Sequence, residues 1–298
     1  MNNGQTIDIS YEPFSKEPEY IEGNRAFVRL LPFKSAERVL DLACGTGTIS
    51  ELILEIQPRI TILGLDISRE SLILGQRDFL EKGLKIEDGF VLTGDHGGKR
   101  PKLVLVEGTA DCLPFKDMWA DIVFMGHSIH MLSDLDLLLQ EIHRILVPGG
   151  IFAFNSSFYA GSQASGTDHF YQIWWKAALA YILEKDAKLK EQGLPGIKRK
   201  RGTAPKAFSS PWLSKEEWNA LLKKHDFEVN NVYEREIMMT RSNMEKIGSY
   251  AGLAAVMVSG YPVKLASEAL VSALAPALEA AGMEGVPRFW LEVTARKK

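Results

Sequence analysis

The chain reads as an α/β protein with a doubly wound sheet, and three observations lead there. Short apolar runs at 38–42, 61–66, 102–108, 121–125 and 150–155 are separated by longer stretches, several with helical periodicity. The first run passes into small residues at every second position, Ala43, Gly45 and Gly47, and then into Ile49, Leu52, Ile53 and Ile56 on one helical face. The second run ends in Asp66, about 20 residues beyond that loop, where an acidic side chain can accept from both hydroxyls of a ribose.

A strand feeding a glycine turn that opens a helix suits a nucleotide. Small residues let backbone approach the ligand, and the helix N-terminus offers free N–H groups. The dinucleotide pattern Gly-x-Gly-x-x-Gly would need glycine where Ser50 stands, and no Gly-x-x-x-x-Gly-Lys-Ser/Thr loop is present here. By itself the loop also fits a tight strand–helix turn of some other α/β protein. The pattern that stands here is Asp41-x-Ala43-x-Gly45-x-Gly47. It resembles the first motif of the class I S-adenosylmethionine (SAM) methyltransferases, with Ala43 in place of a frequent first glycine. The resemblance implies that the loop packs on the methionine part of SAM and that Asp41 organises its amino group.

Residues 1–19 are polar, with Pro13 and Pro18, and suit an irregular leader. A helix is expected over 20–31, with Ile21, Phe27, Leu30 and Leu31 inward and Pro32 ending it. Tyr11 and Tyr20 are packing tyrosines, or, as the resemblance implies, part of a segment folded over the cofactor. Asp66, with Ile67 beside it, matches the second motif of the family. Ser68 can cap the next helix and Gly83 can end it. Residues 84–102 read as a loop. After the third apolar run comes Thr109-Ala110-Asp111-Cys112-Leu113-Pro114-Phe115. Resemblance implies that Asp111 accepts from the adenine amino group and that the Cys112 N–H meets the ring. The fourth run delivers Gly126, His127, Ser128, Ile129 and His130 to the crevice end of a strand, where the transferred methyl should sit. Ser133 is expected to cap the helix that follows, and Asn155 closes the fifth run after Val147-Pro148-Gly149-Gly150. Helix, Leu-x-Pro-Gly-Gly, then strand is again similar to the family. Its members that methylate base or glutamine amines carry Asn/Asp-Pro-Pro-Tyr/Phe after the fourth strand. Here Gly-His-Ser-Ile stands there, which disfavours a nucleic-acid substrate.

The second half predicts a long helix over 168–192, a basic loop at 195–211, a capped helix at 213–227 with Ser214 and Glu217 as a capping box, a strand at 228–240, helices over 243–284 broken at 259–262, and a strand at 288–298. With the resemblance, the fold becomes a Rossmann-like seven-stranded sheet, its last strand antiparallel, with helical lid insertions. The expected organisation is an N-terminal helical cover over 1–35, a SAM-binding core over 36–155, lid insertions over 156–212 and 241–287, and core completion by 213–240 and 288–298.

Composition bounds the function. The 298 residues are 46% hydrophobic and 24% charged with net charge −3, ordinary for a water-soluble fold and against a nucleic-acid surface spread over the whole chain. Two cysteines by themselves make neither a disulfide framework nor a four-ligand zinc site; no metal is expected, and a reduced, cytoplasmic setting fits. The N-terminus lacks a basic start with an apolar run, so no signal peptide is expected. The apolar stretch around 251–263 is too short and broken to span a membrane.

In SAM the methyl is already activated, so the protein must orient the acceptor and exclude water. A general base is needed only for an acceptor still protonated at neutral pH, and His130, His169 and His127 are the candidates. His143 reads as a surface residue. Candidate acceptor contacts are Tyr11, Asn155, Tyr159 and Trp174. The aromatic- and Met-rich insertions suit an apolar or aromatic small molecule, although most such residues must form the insertions' own cores. Lys198, Arg199, Lys200 and Arg201 form a basic run that is either a solvated loop or a contact for an anionic partner. The expected activity is methyl transfer from SAM to oxygen or carbon, leaving S-adenosylhomocysteine. The alternatives are an aminopropyltransferase-like enzyme and a non-catalytic SAM-binding protein. Oligomeric state is open.

Overall fold

The computed structural model describes residues 10–87, 91–93, 102–200 and 212–298. In chain order the elements are α1 (Glu12–Ser15), α2 (Pro18–Val28), β1 (Arg38–Leu42), α3 (Thr48–Ile56), β2 (Thr61–Asp66), α4 (Arg69–Glu81), β3 (Lys85–Glu87), β4 (Val91–Thr93), β5 (Lys102–Glu107), β6 (Ala120–Gly126), α5 (Leu135–Ile145), β7 (Leu146–Ser156), α6 (Asp168–Glu191), α7 (Lys215–Lys224), β8 (Phe227–Thr240), α8 (Arg241–Ser249), α9 (Ala251–Met257), α10 (Val263–Ala281) and β9 (Gly285–Lys297).

The strands form one sheet in the order β3-β4-β5-β2-β1-β6-β7-β9-β8. β5, β2, β1, β6 and β7 run parallel, and β9 joins β7 antiparallel. These, with β8, are the seven expected strands in a Rossmann-like arrangement, with the last strand antiparallel and placed between β7 and β8. The order reverses at β1, so the ends of β1 and β6 flank the switch point where such sheets bind ligands.

The leader over 1–19, expected to be irregular, holds α1 and the start of α2, and two further elements depart from expectation. Residues 84–102 are not all loop: β3 and β4 form an antiparallel pair that extends the sheet beyond β5. At three residues each they are too short for alternation to register. The cap of α5 is Asp134, not Ser133: its side chain accepts from Leu137 N at 2.9 Å.

Helices cover both faces of the sheet. On one, Phe27 and Val28 of α2, Ile49, Leu52 and Ile53 of α3, and Leu72 and Phe79 of α4 pack on Val39, Ile62, Ile122, Phe124, Ile151 and Ala153. Side chains alternate along β7, so Phe152 and Phe154 point to the other face, where Phe154 meets Trp218 of α7 at 4.8 Å between ring centroids. His143 of α5, expected at the surface, is half-buried edge-on to Phe227, and that burial lowers its pKa.

The chain divides into two compact units. One, Tyr20–Ser162 with Trp212–Arg235 and Trp290–Lys298, contains most of the sheet. The other, Met1–Glu19 with Gln163–Pro211 and Glu236–Phe289, is mainly helical. Within the helical unit α6 buries Phe170, Trp174, Ala178 and Ile182 toward α10, and Trp174 Nε1 donates to Leu270 O at 2.7 Å. Asn243 of α8 is fully buried and donates to Glu17 at 2.7 Å and Glu19 at 3.0 Å, while Lys246 pairs with Glu17. Of the basic run, Lys200 N donates to Gly260 O at 2.7 Å and Arg199 lies over the Tyr261 ring at 5.6 Å. Arg201 falls outside the described residues. No described helix is long and apolar enough to cross a membrane.

Candidate functional site

The glycine loop is held from three sides. Ala43, Gly45 and Gly47 all take positive φ, at 57°, 57° and 84°. The left-handed region costs a residue with a Cβ roughly 1–2 kcal/mol, so Ala43 is strained where the two glycines are not. At Gly47 a Cβ would also lie 2.7 Å from the Phe79 ring. Below the loop, Asp41 is fully buried, and its Oδ2 accepts from Ser50 N at 3.0 Å and Ser50 Oγ at 2.7 Å. A carboxylate is thereby set against the first turn of α3, where the helix dipole favours negative charge. The third hold is Asp66 at the end of β2. Its Oδ2 accepts from Gly45 N and its Oδ1 from Ser68 N, each at 2.7 Å.

Electrostatically, Asp41 is the unusual group. Burial pushes its carboxyl up to about 7, with the neighbouring Asp66 adding to the rise and the Ser50 bonds opposing it. Asp41 Oδ1 is buried and has no hydrogen-bond partner among the described residues. The same holds for Ser128 Oγ, just past the end of the adjacent strand β6. Two buried acceptors left open at neighbouring strand ends point to a polar ligand group there.

On the other side of β1, Ile67 follows Asp66 with 75% of its surface exposed, an apolar face beside the carboxylate. Asp111 and Cys112 are exposed after β5, and Asp111 N donates to Thr109 Oγ1 at 3.0 Å. The loop they belong to is clamped by α5. Arg144 donates to Leu113 O at 3.1 Å, Phe115 O at 2.7 Å, and the carboxylates of Asp117 and Glu141, and Glu141 in turn accepts from Leu113 N at 3.0 Å. The guanidinium holds the Glu141 carboxyl below its ordinary range.

β6 ends at Gly126, where a Cβ would sit 3.1 Å from Ile49. His127 follows with φ 47°. Its N–H lies 3.1 Å from both Asn155 O and Asn155 Oδ1, and its ring packs 4.2 Å from Trp290 and 5.2 Å from Tyr20. The rest of the Asn155 amide donates to Asn24 Oδ1 at 2.8 Å, tying β7 to α2. His130 lies in the short helical turn Ile129–Met131. Its Nδ1 is 3.2 Å from Ser156 Oγ and its ring lies 4.3 Å from Phe158.

The sheet unit therefore brings Asp41, Ala43, Gly45, Gly47, Asp66, Ile67, Gly126, His127, His130 and Asn155 to one edge, because parallel strands end together. Tyr159 belongs to that unit, fully buried, and its hydroxyl donates to Glu234 at 2.7 Å. Tyr11, His169 and Trp174 belong to the helical unit. Tyr11 packs edge-on to Tyr250 at 5.1 Å, His169 is exposed at the start of α6, and Trp174 lies within that unit's core. Ser156, Arg144 and Asn24 were not singled out from sequence, since each acts through a partner 26 or more residues away, whereas Ser128 was placed at the methyl end with His127 and its buried, open Oγ agrees with that placement.

Comparison with known proteins agrees with this layout. Residues 40–154 match a family model described as a methyltransferase domain. Over that stretch the chain is similar to methyltransferases. It is 32% identical over 160 residues to the demethylmenaquinone methyltransferase of Symbiobacterium thermophilum, covering 53% of this chain and 57% of that protein. It is 30% identical over 174 residues to the malonyl-[acyl-carrier protein] O-methyltransferase of Legionella pneumophila, covering 57% and 52%. The chain spans about half the length of the curated relatives it matches. Among solved structures, the YcgJ protein of Bacillus subtilis shares the fold, with a TM-score of 0.55 at 15% identity over 93% of this chain and 99% of that one.

The cofactor of such a domain is SAM, and the residues present fit it. The open Asp41 Oδ1 is an acceptor for an ammonium group. Each Asp66 oxygen keeps a lone pair beyond its bond to a backbone N–H, which is what a ribose diol requires. Ile67 offers an apolar surface for a flat base.

Proposed function

We propose that the protein is a SAM-dependent methyltransferase that transfers a methyl to oxygen or carbon of an apolar or aromatic small molecule of the quinone, lipid or natural-product type. The observation that carries this is the open acceptor pair Asp41 Oδ1 and Ser128 Oγ at adjacent strand ends beside a left-handed glycine loop. Names of the relatives support the acceptor class: one is named for demethylmenaquinone and the other for O-methylation of malonyl-[acyl-carrier protein].

Bound SAM supplies a methyl on a sulfonium, open to in-line displacement. The residues of this chain do the rest. Asp41 and the loop at 43–47 hold the methionine end; Asp66 and Ile67 hold the nucleoside, with Asp111 and Cys112 at the base. His127, wedged between Tyr20 and Trp290, shapes the wall near the methyl, and Asn155 fixes its backbone. His130 is the base for an acceptor that arrives protonated. Tyr11 is a proposed acceptor contact, and His169 a second candidate base. Tyr159 and Trp174 serve as framework, since both are buried and their polar atoms already bond within the protein.

Calorimetric titration with SAM, followed by S-adenosylhomocysteine release with phenol, quinol and acyl-thioester acceptors, tests the proposal. Saturable SAM binding with product from at least one acceptor supports it. Absence of SAM binding overturns it, and binding without turnover on any acceptor favours the non-catalytic alternative.

A further inference from the structure

Two buried amides join α2 to the end of β6 through a chain of hydrogen bonds. Asn24 Nδ2 donates to Tyr20 O at 2.8 Å, one turn back in α2. Asn155 Nδ2 donates to Asn24 Oδ1 at 2.8 Å, and Asn155 Oδ1 accepts from His127 N at 3.1 Å. Both asparagines are fully buried. The ends of the chain fix its direction, because Tyr20 O only accepts and His127 N–H only donates. Turning the Asn155 amide over would set its NH2 against His127 N–H and its oxygen against Asn24 Oδ1. Turning Asn24 over would set its oxygen against Tyr20 O and its NH2 against that of Asn155. Turning both would mismatch both ends. One arrangement satisfies every contact, and backbone groups select it, whatever the Tyr20 and His127 side chains themselves meet.

His127 is the residue that needs holding. Its φ of 47° lies in the left-handed region, which costs a residue with a Cβ roughly 1–2 kcal/mol. Its N–H is shared between Asn155 O and Asn155 Oδ1, each at 3.1 Å. The bond to Asn155 O belongs to the strand ladder and would form with any residue at 155. The second acceptor depends on Asn24, whose oxygen takes up Asn155 Nδ2 and so turns Asn155 Oδ1 toward His127. The next residue is Ser128, whose buried Oγ is open at the ligand edge of the sheet. We propose that Asn24 is a positioning residue: through Asn155 it holds the left-handed bend at His127, and so sets where Ser128 Oγ stands toward the cofactor. The effect on the cofactor rests on the proposed function, whereas the coupling from Asn24 to His127 does not.

Asn24→Ser separates this link from the packing of α2. A serine hydroxyl still bonds the carbonyl one turn back, as serines in helices do, but it is one atom shorter and leaves Asn155 Nδ2 without its acceptor. Full-length protein carrying 15N-labelled histidine is examined by proton–nitrogen correlation, with the His127 amide assigned by its loss in His127→Asn, a residue that tolerates the left-handed region. Asn24→Ser is expected to move the His127 amide signal and to leave that of His143 in α5 in place. Asn24→Ala, which loses both bonds, is expected to move His127 likewise, and thermal unfolding checks that each variant is folded. In calorimetric titration Asn24→Ser is expected to bind SAM about 5- to 10-fold more weakly, the scale of one displaced hydrogen bond. Asn155→Ala is expected to lose at least as much, and adding Asn24→Ser to it to cost nothing further, because the two residues act in one chain. An unmoved His127 signal, wild-type SAM affinity in Asn24→Ser, or losses that add in the double variant overturns the inference. A wild-type protein that binds no SAM instead overturns the proposed function, and the His127 signal then decides the coupling by itself.

Discussion

Asp66 Oδ2 accepts the backbone N–H of Gly45 at 2.7 Å, so the end of β2 holds the loop that leaves β1. The residue expected to clamp the ribose therefore also braces the glycine loop. Asp66→Ala removes an acceptor for two backbone N–H groups as well as the ribose partner. With charge-assisted bonds at about 1.5–3 kcal/mol each, SAM affinity should fall at least 100-fold. Asp66→Asn should lose less, because the amide oxygen still accepts from one N–H. Calorimetric titration of both variants is the measurement, and an unchanged Kd for Asp66→Ala would remove Asp66 from the cofactor site.

Asp41 makes stability and binding depend on pH in opposite directions. Its carboxyl is raised from the ordinary 3.8 to about 7, so the ligand-free fold binds the proton more tightly than the unfolded chain. That stabilisation is fully present below about pH 4, is lost as pH rises to about 7, and is flat above. A shift of about 3 units corresponds to about 4 kcal/mol across that window. Asp41→Asn should remove this slope from urea unfolding measured between pH 4 and 8. SAM brings an ammonium group that favours the charged carboxylate, so SAM binding should release a proton and tighten as pH rises toward 7. Titration in two buffers of different ionisation enthalpy reads the proton directly.

Gly75 tests whether the loop tolerates pressure from α4. A Cβ there would lie 2.4 Å from Thr46 O, which is backbone and cannot swing aside. In an open helix Gly→Ala stabilises by about 1 kcal/mol. Here the overlap should win, with Gly75→Ala destabilising by about 1–3 kcal/mol and weakening SAM by moving Thr46. A rise in the urea midpoint would show that α4 can shift without disturbing the loop.

Arg144 should prove irreplaceable by lysine. It meets two carbonyls and two carboxylates through a planar fork, which a single ammonium on a flexible stem cannot match. Arg144→Lys should cost about 1–2 kcal/mol in urea unfolding. It should also weaken SAM by loosening the loop from Leu113 to Asp117. Retention of wild-type affinity would mean that this loop is held without its clamp.

The carboxylates at the strand ends were legible because each ends an apolar run, and a run of that length announces its own boundary. Asp41, Asp66 and Gly126 needed only local pattern and order. The capping box at Ser214 was equally local: its side chain accepts from Glu217 N three residues on. Less legible was the role of each aromatic in the helical unit. Trp174 and Tyr11 look alike as candidate contacts, yet one lies in the core with its N–H on Leu270 and the other is partly exposed against Tyr250. Composition does not carry that distinction, because helical periodicity gives a face and not what covers it.

From sequence alone came the strand–loop–helix at 38–56 and the chain order of the acidic residues, since each depends on neighbours within a few residues and on a fixed period, and the family resemblance of those motifs implied the cofactor. Tertiary structure alone decided which atoms remain open and which are committed. Asn155 lies 131 residues from Asn24, Ser156 26 from His130 and Arg144 31 from Leu113, and no local pattern encodes such pairings. They arise when the parallel strands end at one edge and burial removes water as a competing partner, leaving each polar atom only the neighbours that the fold supplies.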